Sequence, residues 1–309
     1  MRLGVLDVGS NTVHLVAVDA TGGGRPAPMS DWKTTLRLVE MLDDSGAIDD
    51  KGKKKLTSAV GEAAEIVEKL GCREMIPFAT SAVRSATNSD EVLDYVEKQT
   101  GVRLEVLSGE DEARLTFLAV RRWYGWSAGR ITNFDIGGGS LEISTGTDEQ
   151  PDLARSLDLG AGRLTHQWFD TDPPERRRIN SLRDYIDAEL MGPAKEFARY
   201  GEPGLAVGTS KTFRTLARLT GAAPSSAGPF VKRTLTAPGL RQLIAFISRM
   251  TAADRAELEG ISADRSHQIV AGALVAEASM RALGVEQMEI CPWALREGVI
   301  LRRIDKGLE

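Results

Sequence analysis

One device occurs twice in the chain and constrains its fold more than any other feature. A short apolar run, Leu3 to Asp7, ends in Asp7-Val8-Gly9-Ser10-Asn11, and an alternating run returns from Val13 to Val18. Ile131 to Asp135 repeats this, with a tight Gly137-Gly138-Gly139-Ser140 turn and a returning run from Leu141 to Thr145. Asp135 follows Asp7 by 128 residues. A strand, a turn and a second strand, repeated with the aspartate kept at the strand end, indicate duplication of one α/β unit. Two similar lobes facing each other across a cleft are the expected architecture.

The rest of the pattern fits α/β units. Lys33 to Val39 reads as a third strand after a Gly- and Pro-rich loop, Thr21 to Ser30. Leu56, Val60, Ala63, Val67 and Leu70 step by 4, 3, 4 and 3, which is one face of a helix. Strands are expected at 75–79, 103–107, 153–159, 205–207 and 286–290. Helices are expected at 91–98, from Ser108 onward, at 174–200, after the Gly208-Thr209-Ser210 turn with Phe213, Leu216 and Leu219, and at 237–257, 264–283 and 295–304.

The 309 residues suffice for two cores. A net charge of -5, without a lysine or arginine tract of the kind expected for non-specific nucleic-acid binding, argues against that class of partner. Lys51, Lys53, Lys54 and Lys55 stand beside Asp49 and Asp50 and read as a solvated helix face. Two distant cysteines, Cys72 and Cys291, fit a reducing compartment better than a disulfide framework. No apolar run approaches the ~18 residues of a membrane span, and Met1 leads straight into Leu3, Val5 and Leu6 without a signal-peptide layout. A cytoplasmic protein with no membrane partner is the expectation.

Several strings carry chemistry. A strand-end aspartate lies at the sheet edge where α/β folds bind ligands. Gly9 allows a tight turn with amides close to an anion, flanked by Ser10 and Asn11. Three consecutive glycines, 137–139, followed by Ser140, form an anion nest suited to phosphate oxygens. Asp135 and Glu142 at the base of that hairpin would repel such a ligand unless a hard cation lies between them, and magnesium suits that place. Gly208-Thr209-Ser210-Lys211 opens a helix whose N-terminus favours anions. Ser108-Gly109-Glu110-Asp111-Glu112 places three acids in a first helical turn. They complement the dipole, and one of them near a phosphate would act as general base. Arg84 follows a strand end and is a candidate phosphate clamp. His14, His166 and His267 show no metal-ligand spacing, and neither a serine-hydrolase elbow nor a paired C-x-x-C occurs.

Taken together, these strings resemble the exopolyphosphatase and guanosine pentaphosphate phosphohydrolase family of the actin, Hsp70 and sugar-kinase superfold. The matching segments are Asp7 to Asn11, Thr80-Ser-Ala-Val-Arg84, Ser108 to Leu115, Asp135 to Ser140 with Glu142, Gly208-Thr209, and Trp293-Ala-Leu-Arg-Glu-Gly298. The resemblance implies two ribonuclease-H-like domains with an interdomain cleft. The first would take residues 1–125 plus about 295–309, the second 126–294. It implies Glu112 as general base, a magnesium site (manganese as substitute) at Asp7, Asp135 and Glu142, and potassium stimulation. Gly9, Ser10, Asn11, Arg84, Gly137, Gly138, Gly139, Ser140, Gly208, Thr209, Ser210, Lys211 and Arg265 would contact phosphates. Ser266 and His267 replace the alanine and aspartate that usually follow the last of these arginines. The implied activity is magnesium-dependent release of the terminal phosphate from short inorganic polyphosphate. Guanosine pentaphosphate as substrate, or a non-catalytic sensor of polyphosphate or guanosine polyphosphate, is the alternative. A kinase of the same superfold fits the Ser108 helix start less well. A homodimer is the family expectation.

Overall fold

The computed structural model describes residues 1–20, 28–43 and 45–307. The chain divides into two compact units, one of Met1–Leu115 with Leu295–Glu309, the other of Thr116–Ala294. The division falls within a helix, Gly109–Tyr124, and not after residue 125.

In the first unit, β1 (Arg2–Val8), β2 (Thr12–Asp19), β3 (Pro28–Thr35), β4 (Glu74–Ala79) and β5 (Glu105–Val106) form a sheet in the order β3-β2-β1-β4-β5. β1 and β2 are antiparallel, as are β2 and β3, whereas β4 and β5 run parallel to β1. Period-2 alternation divides β1 between two cores. Leu6 and Val8 join Leu56, Val60, Ala63, Val92 and Val96, the buried faces of α1 (Asp50–Lys69) and α3 (Ser89–Thr100). Leu3 and Val5 join Leu115, Val299 and Ile300. These come from α4 (Gly109–Tyr124) and α11 (Leu295–Asp305). Gly298 is required there, because a Cβ would lie 2.0 Å from the Leu115 carbonyl oxygen.

The second unit repeats the arrangement. Its strands are β6 (Ile131–Ile136), β7 (Leu141–Gly146), β8 (Leu153–Leu157), β9 (Leu205–Gly208), β10 (Thr234–Thr236) and β11 (Gln287–Ile290), ordered β10-β11-β9-β6-β7-β8. β6, β7 and β8 form the antiparallel meander, and β9 and β11 continue in parallel. Thus β8-β7-β6-β9-β11 corresponds to β3-β2-β1-β4-β5, the duplication expected from the repeated turn. The larger core packs one face of this sheet under α5 (Ala161–Trp168), α6 (Arg176–Ala198), α7 (Ser210–Leu219), α8 (Ala237–Ile247) and α10 (Ile269–Ala282).

Four expectations need correction. The third strand is Pro28–Thr35, because Arg37 adopts a left-handed φ of 58° and turns Leu38–Met41 into a short 3-10 helix. Of the expected loop 21–30, residues 21–27 lie outside the described residues and the remainder opens β3. The expected helix 237–257 is broken: α9 (Ala252–Ala256) restarts at a Thr251–Asp254 capping box. Finally, α5 and β10 arise where no element was expected, and a one-turn helix, α2 (Ser81–Arg84), follows Thr80.

Candidate active site

In each unit the chemistry-bearing strings sit at the carboxyl ends of the parallel strands, where open α/β sheets place ligands. In the first unit Val8 pairs with Ala79 and Ala79 with Val106. That register sets Gly9, Thr80 and Leu107-Ser108 side by side. The Ser10 and Ser81 hydroxyls, both buried, are 2.9 Å apart and join the first turn to α2. Gly9 N–H donates to the Thr12 carbonyl at 3.0 Å, while the Ser10 and Asn11 carbonyls accept from Leu38, Leu36 and Arg37.

The three acids of the α4 first turn separate by environment. The Ser108 hydroxyl donates to Asp111 Oδ2 at 2.7 Å and accepts from the Asp111 amide at 3.1 Å, so Asp111 belongs to the helix cap. Glu110 faces Arg114 at 3.6 Å on the exposed side. Glu112 alone of the three is buried, with its side chain 9% exposed. Its carboxylate accepts from Arg84 Nη1, which also donates to the Leu107 carbonyl at 2.7 Å.

In the second unit Gly137 N–H donates to the Ser140 carbonyl at 2.9 Å, the counterpart of the Gly9–Thr12 turn. The carbonyls of the hairpin's three glycines are engaged by α5. Gly137 accepts from Ala161 N–H at 3.0 Å and Gly138 from Arg163 N–H at 2.9 Å, and Gly139 accepts from Arg163 Nε at 2.9 Å. Among the described residues none accepts from the amides of Gly138, Gly139 or Ser140. A turn with its carbonyls held away from its amides has the form that an anion nest requires.

Asp135 and Glu142 stand directly opposite each other in the β6–β7 register. Like charges in that position repel, and Glu142 is buried. Each is held by a hydroxyl: Thr209 Oγ1 donates to Asp135 Oδ2 at 2.6 Å, and Ser156 Oγ donates to Glu142 Oε1 at 2.7 Å. Two fixed, opposed carboxylates beside an anion nest suit a hard divalent cation that keeps its waters and phosphate oxygens as further ligands. Among the described residues no three or more His, Cys, Asp or Glu side chains converge as a metal cluster. The equivalent pair in the first unit is Asp7 and His14, directly opposite in β1 and β2. His14 Nδ1 meets Arg296 Nη1, and His14 Nε2 is 3.5 Å from Asp31. The duplicated pair has thus diverged into acid–acid in one unit and acid–histidine in the other.

Thr209 is buried at the end of β9, and Gly208 is sterically required there, a Cβ falling 2.9 Å from Met288 Sδ and from the Phe213 ring. Ser210 carries a left-handed φ of 59° at the first residue of α7. Lys211 and Arg265 line one small pocket of this unit with Thr212, Thr215, Ser262 and Gln268. Sequence reasoning missed Ser81, Ser156, Gly160 and Arg163. The string Leu159-Gly160-Ala161-Gly162-Arg163, a second glycine-rich turn after a strand, was the available signal.

The profile described as "Ppx/GppA phosphatase family" matches residues 16–307. The chain belongs to the Ppx/GppA phosphatase family. The proteins named exopolyphosphatase 1 in Mycobacterium tuberculosis and Mycobacterium leprae are 69% and 67% identical to it over 305 residues. Those alignments cover 99% of this chain and 89% and 90% of the relatives. A crystal structure of an exopolyphosphatase from Cytophaga hutchinsonii superposes with a TM-score of 0.89 at 24% identity, covering 99% of this chain and 98% of that one. At that identity the likeness speaks for the fold, and it agrees with the two α/β units of this Ppx/GppA member. No described helix is long and apolar enough to cross a membrane.

Proposed function

We propose that the chain is an exopolyphosphatase that releases the terminal phosphate of inorganic polyphosphate, short chains in particular, with magnesium as its cofactor. The observation that carries this reading is the second unit's turn: three amides with no acceptor among the described residues, beside the opposed Asp135 and Glu142. That combination suits a polyanion accompanied by a hard cation. The identity of 69% to a protein named exopolyphosphatase 1 selects polyphosphate over other phosphoanhydrides.

In this mechanism the amides of Gly138, Gly139 and Ser140 donate to phosphate oxygens and orient the terminal group. Ser10 and Asn11 at the equivalent turn, and Thr209, Ser210, Lys211 and Arg265 around α7, add donors for the chain. Asp135 and Glu142, with Asp7, would hold magnesium, which when bound neutralises phosphate charge. Glu112 holds the attacking water and takes its proton as the water oxygen bonds to the terminal phosphorus. The bridging P–O bond breaks on the opposite side, and the shortened polyphosphate leaves with the bonding pair. Phosphoryl transfer asks chiefly for such positioning and charge stabilisation.

The test is phosphate release with magnesium from short polyphosphate, long polyphosphate and guanosine pentaphosphate, with Glu112→Ala alongside. Release from short polyphosphate, reduced about 100- to 10,000-fold in the variant, is expected. No release from any substrate overturns the reading. Release from guanosine pentaphosphate alone reassigns the substrate.

A further inference from the structure

The resemblance casts Arg84 as a phosphate contact, but the structure gives its guanidinium internal work. Arg84 ends the one-turn helix α2, which follows directly from β4. Its Nη1 bonds to Glu112 and to the Leu107 carbonyl, the residue before the Ser108 cap of α4. One guanidinium nitrogen therefore grips both the carboxylate and the strand–helix junction from which the Glu112 side chain rises. A carboxylate this buried is costly to keep ionised without a hydrogen-bonded cation. The other acids of the turn have other attachments: Asp111 to the Ser108 cap and Glu110 to Arg114. Arg84 is also anchored from behind. Thr80 N–H donates to the Val8 carbonyl at 3.1 Å, and the Ser81 hydroxyl meets that of Ser10, so α2 is tied to the β1 turn.

We propose that Arg84 is a positioning residue for Glu112, fixing the orientation of the carboxylate that receives the water proton, and that it serves turnover more than substrate capture. The proposal rests on Glu112 as the general base. A positioning arginine and a phosphate clamp differ in kinetics. Removing uniform substrate binding raises KM, whereas removing an interaction needed only at the transition state lowers kcat.

The experiment measures kcat and KM for short polyphosphate with magnesium in wild type, Arg84→Ala, Arg84→Lys, Glu112→Gln and the Arg84→Ala/Glu112→Gln double variant. A displacement of about 1 Å in a catalytic group costs on the order of 100-fold. Arg84→Ala should therefore lose about 100-fold in kcat with KM within about threefold of wild type. Arg84→Lys keeps a cation without the guanidinium's planar fork and should fall between the two. The double variant should be no slower than Glu112→Gln, because the residues act as one unit. Added guanidinium should restore turnover to Arg84→Ala and leave the double variant unchanged. If Arg84→Ala does not fold, Arg84→Lys carries the same kcat-against-KM comparison. A rise of tenfold or more in KM with kcat retained would overturn the positioning role while leaving Glu112 as base. So would a lowered melting temperature with unchanged kinetics. Full turnover in Glu112→Gln would instead overturn the base assignment beneath it.

Discussion

Gly160 offers the sharpest test of how the glycine hairpin is held. A Cβ at this position falls 2.1 Å from the Gly139 carbonyl carbon, 2.3 Å from Ser140 N and 2.4 Å from Gly139 Cα. Carbon atoms in ordinary contact lie at about 3.5–4.0 Å, and all three neighbours are backbone, so no rotamer change relieves the clash. In Gly160→Ala either α5 withdraws or the hairpin shifts. Withdrawal loosens the bonds from Ala161 N–H to Gly137 and from Arg163 N–H to Gly138, 3.0 and 2.9 Å in the native fold. Overpacking costs about 1–3 kcal/mol, and each weakened bond adds up to about 1 kcal/mol. A total near 3 kcal/mol corresponds to a melting temperature lower by about 6–12 °C for a unit of this size. The control is Gly137→Ala, whose Cβ meets nothing closer than the Ser140 carbonyl oxygen at 3.5 Å. It should melt within about 2–4 °C of wild type, a change of no more than about 1 kcal/mol. Scanning calorimetry on both variants decides the matter. A Gly160→Ala protein that melts with wild type, or below which Gly137→Ala falls, would refute the close-approach argument.

Two further outcomes follow from named geometry. Glu142→Gln removes one of two opposed acids, so without magnesium it should melt at or above wild type, by up to about 1 kcal/mol. Wild type at tenfold its magnesium Kd should gain about 1.4 kcal/mol, or about 3–6 °C, and the variant much less; equal magnesium shifts would remove Glu142 from the metal site. Ser210→Gly relieves a left-handed residue costing about 1–2 kcal/mol, partly offset by glycine's entropy of about 0.5–1 kcal/mol. It should melt slightly above wild type and Ser210→Val clearly below it, and a reversed order in thermal melts would contradict the strain argument.

Which parts of the molecule could be read from the sequence follows from where the information resides. The two turns were legible because strand alternation, a strand-end aspartate and a glycine are adjacent in the chain, so the duplication was visible before any packing was known. The matching Gly9–Thr12 and Gly137–Ser140 bonds express that local code. Helix α5 was not legible. Gly160 precedes it, no Ser, Thr, Asp or Asn caps it, and Gly162 weakens its second position. Its first amides are capped by the Gly137 and Gly138 carbonyls, which come from a hairpin more than 20 residues earlier. The third strand was misplaced for a related reason. Leu36, Leu38 and Val39 are buried as strand residues would be, but they are buried across a turn whose amides bond to Ser10 and Asn11. The break before α9 is encoded locally, in the Thr251–Asp254 capping box.

The same distinction governs the candidate site. Three acids in the α4 first turn are equivalent in sequence, each favourable to the helix dipole. Only tertiary structure separates them, by giving Asp111 to the cap, Glu110 to Arg114 and the buried Glu112 to the half-buried Arg84. The Asp7–His14 and Asp135–Glu142 pairs invert the situation, because there the difference lies in the sequence and its meaning lies in the register. Each partner is seven residues after its aspartate, directly across the hairpin. One copy of the duplicated unit sets a histidine bonded to Arg296 against its acid, and the other sets a second acid. The register therefore sets two acids against each other in the second unit and an acid against a histidine in the first, which is why the proposed magnesium role is put first on Asp135 and Glu142.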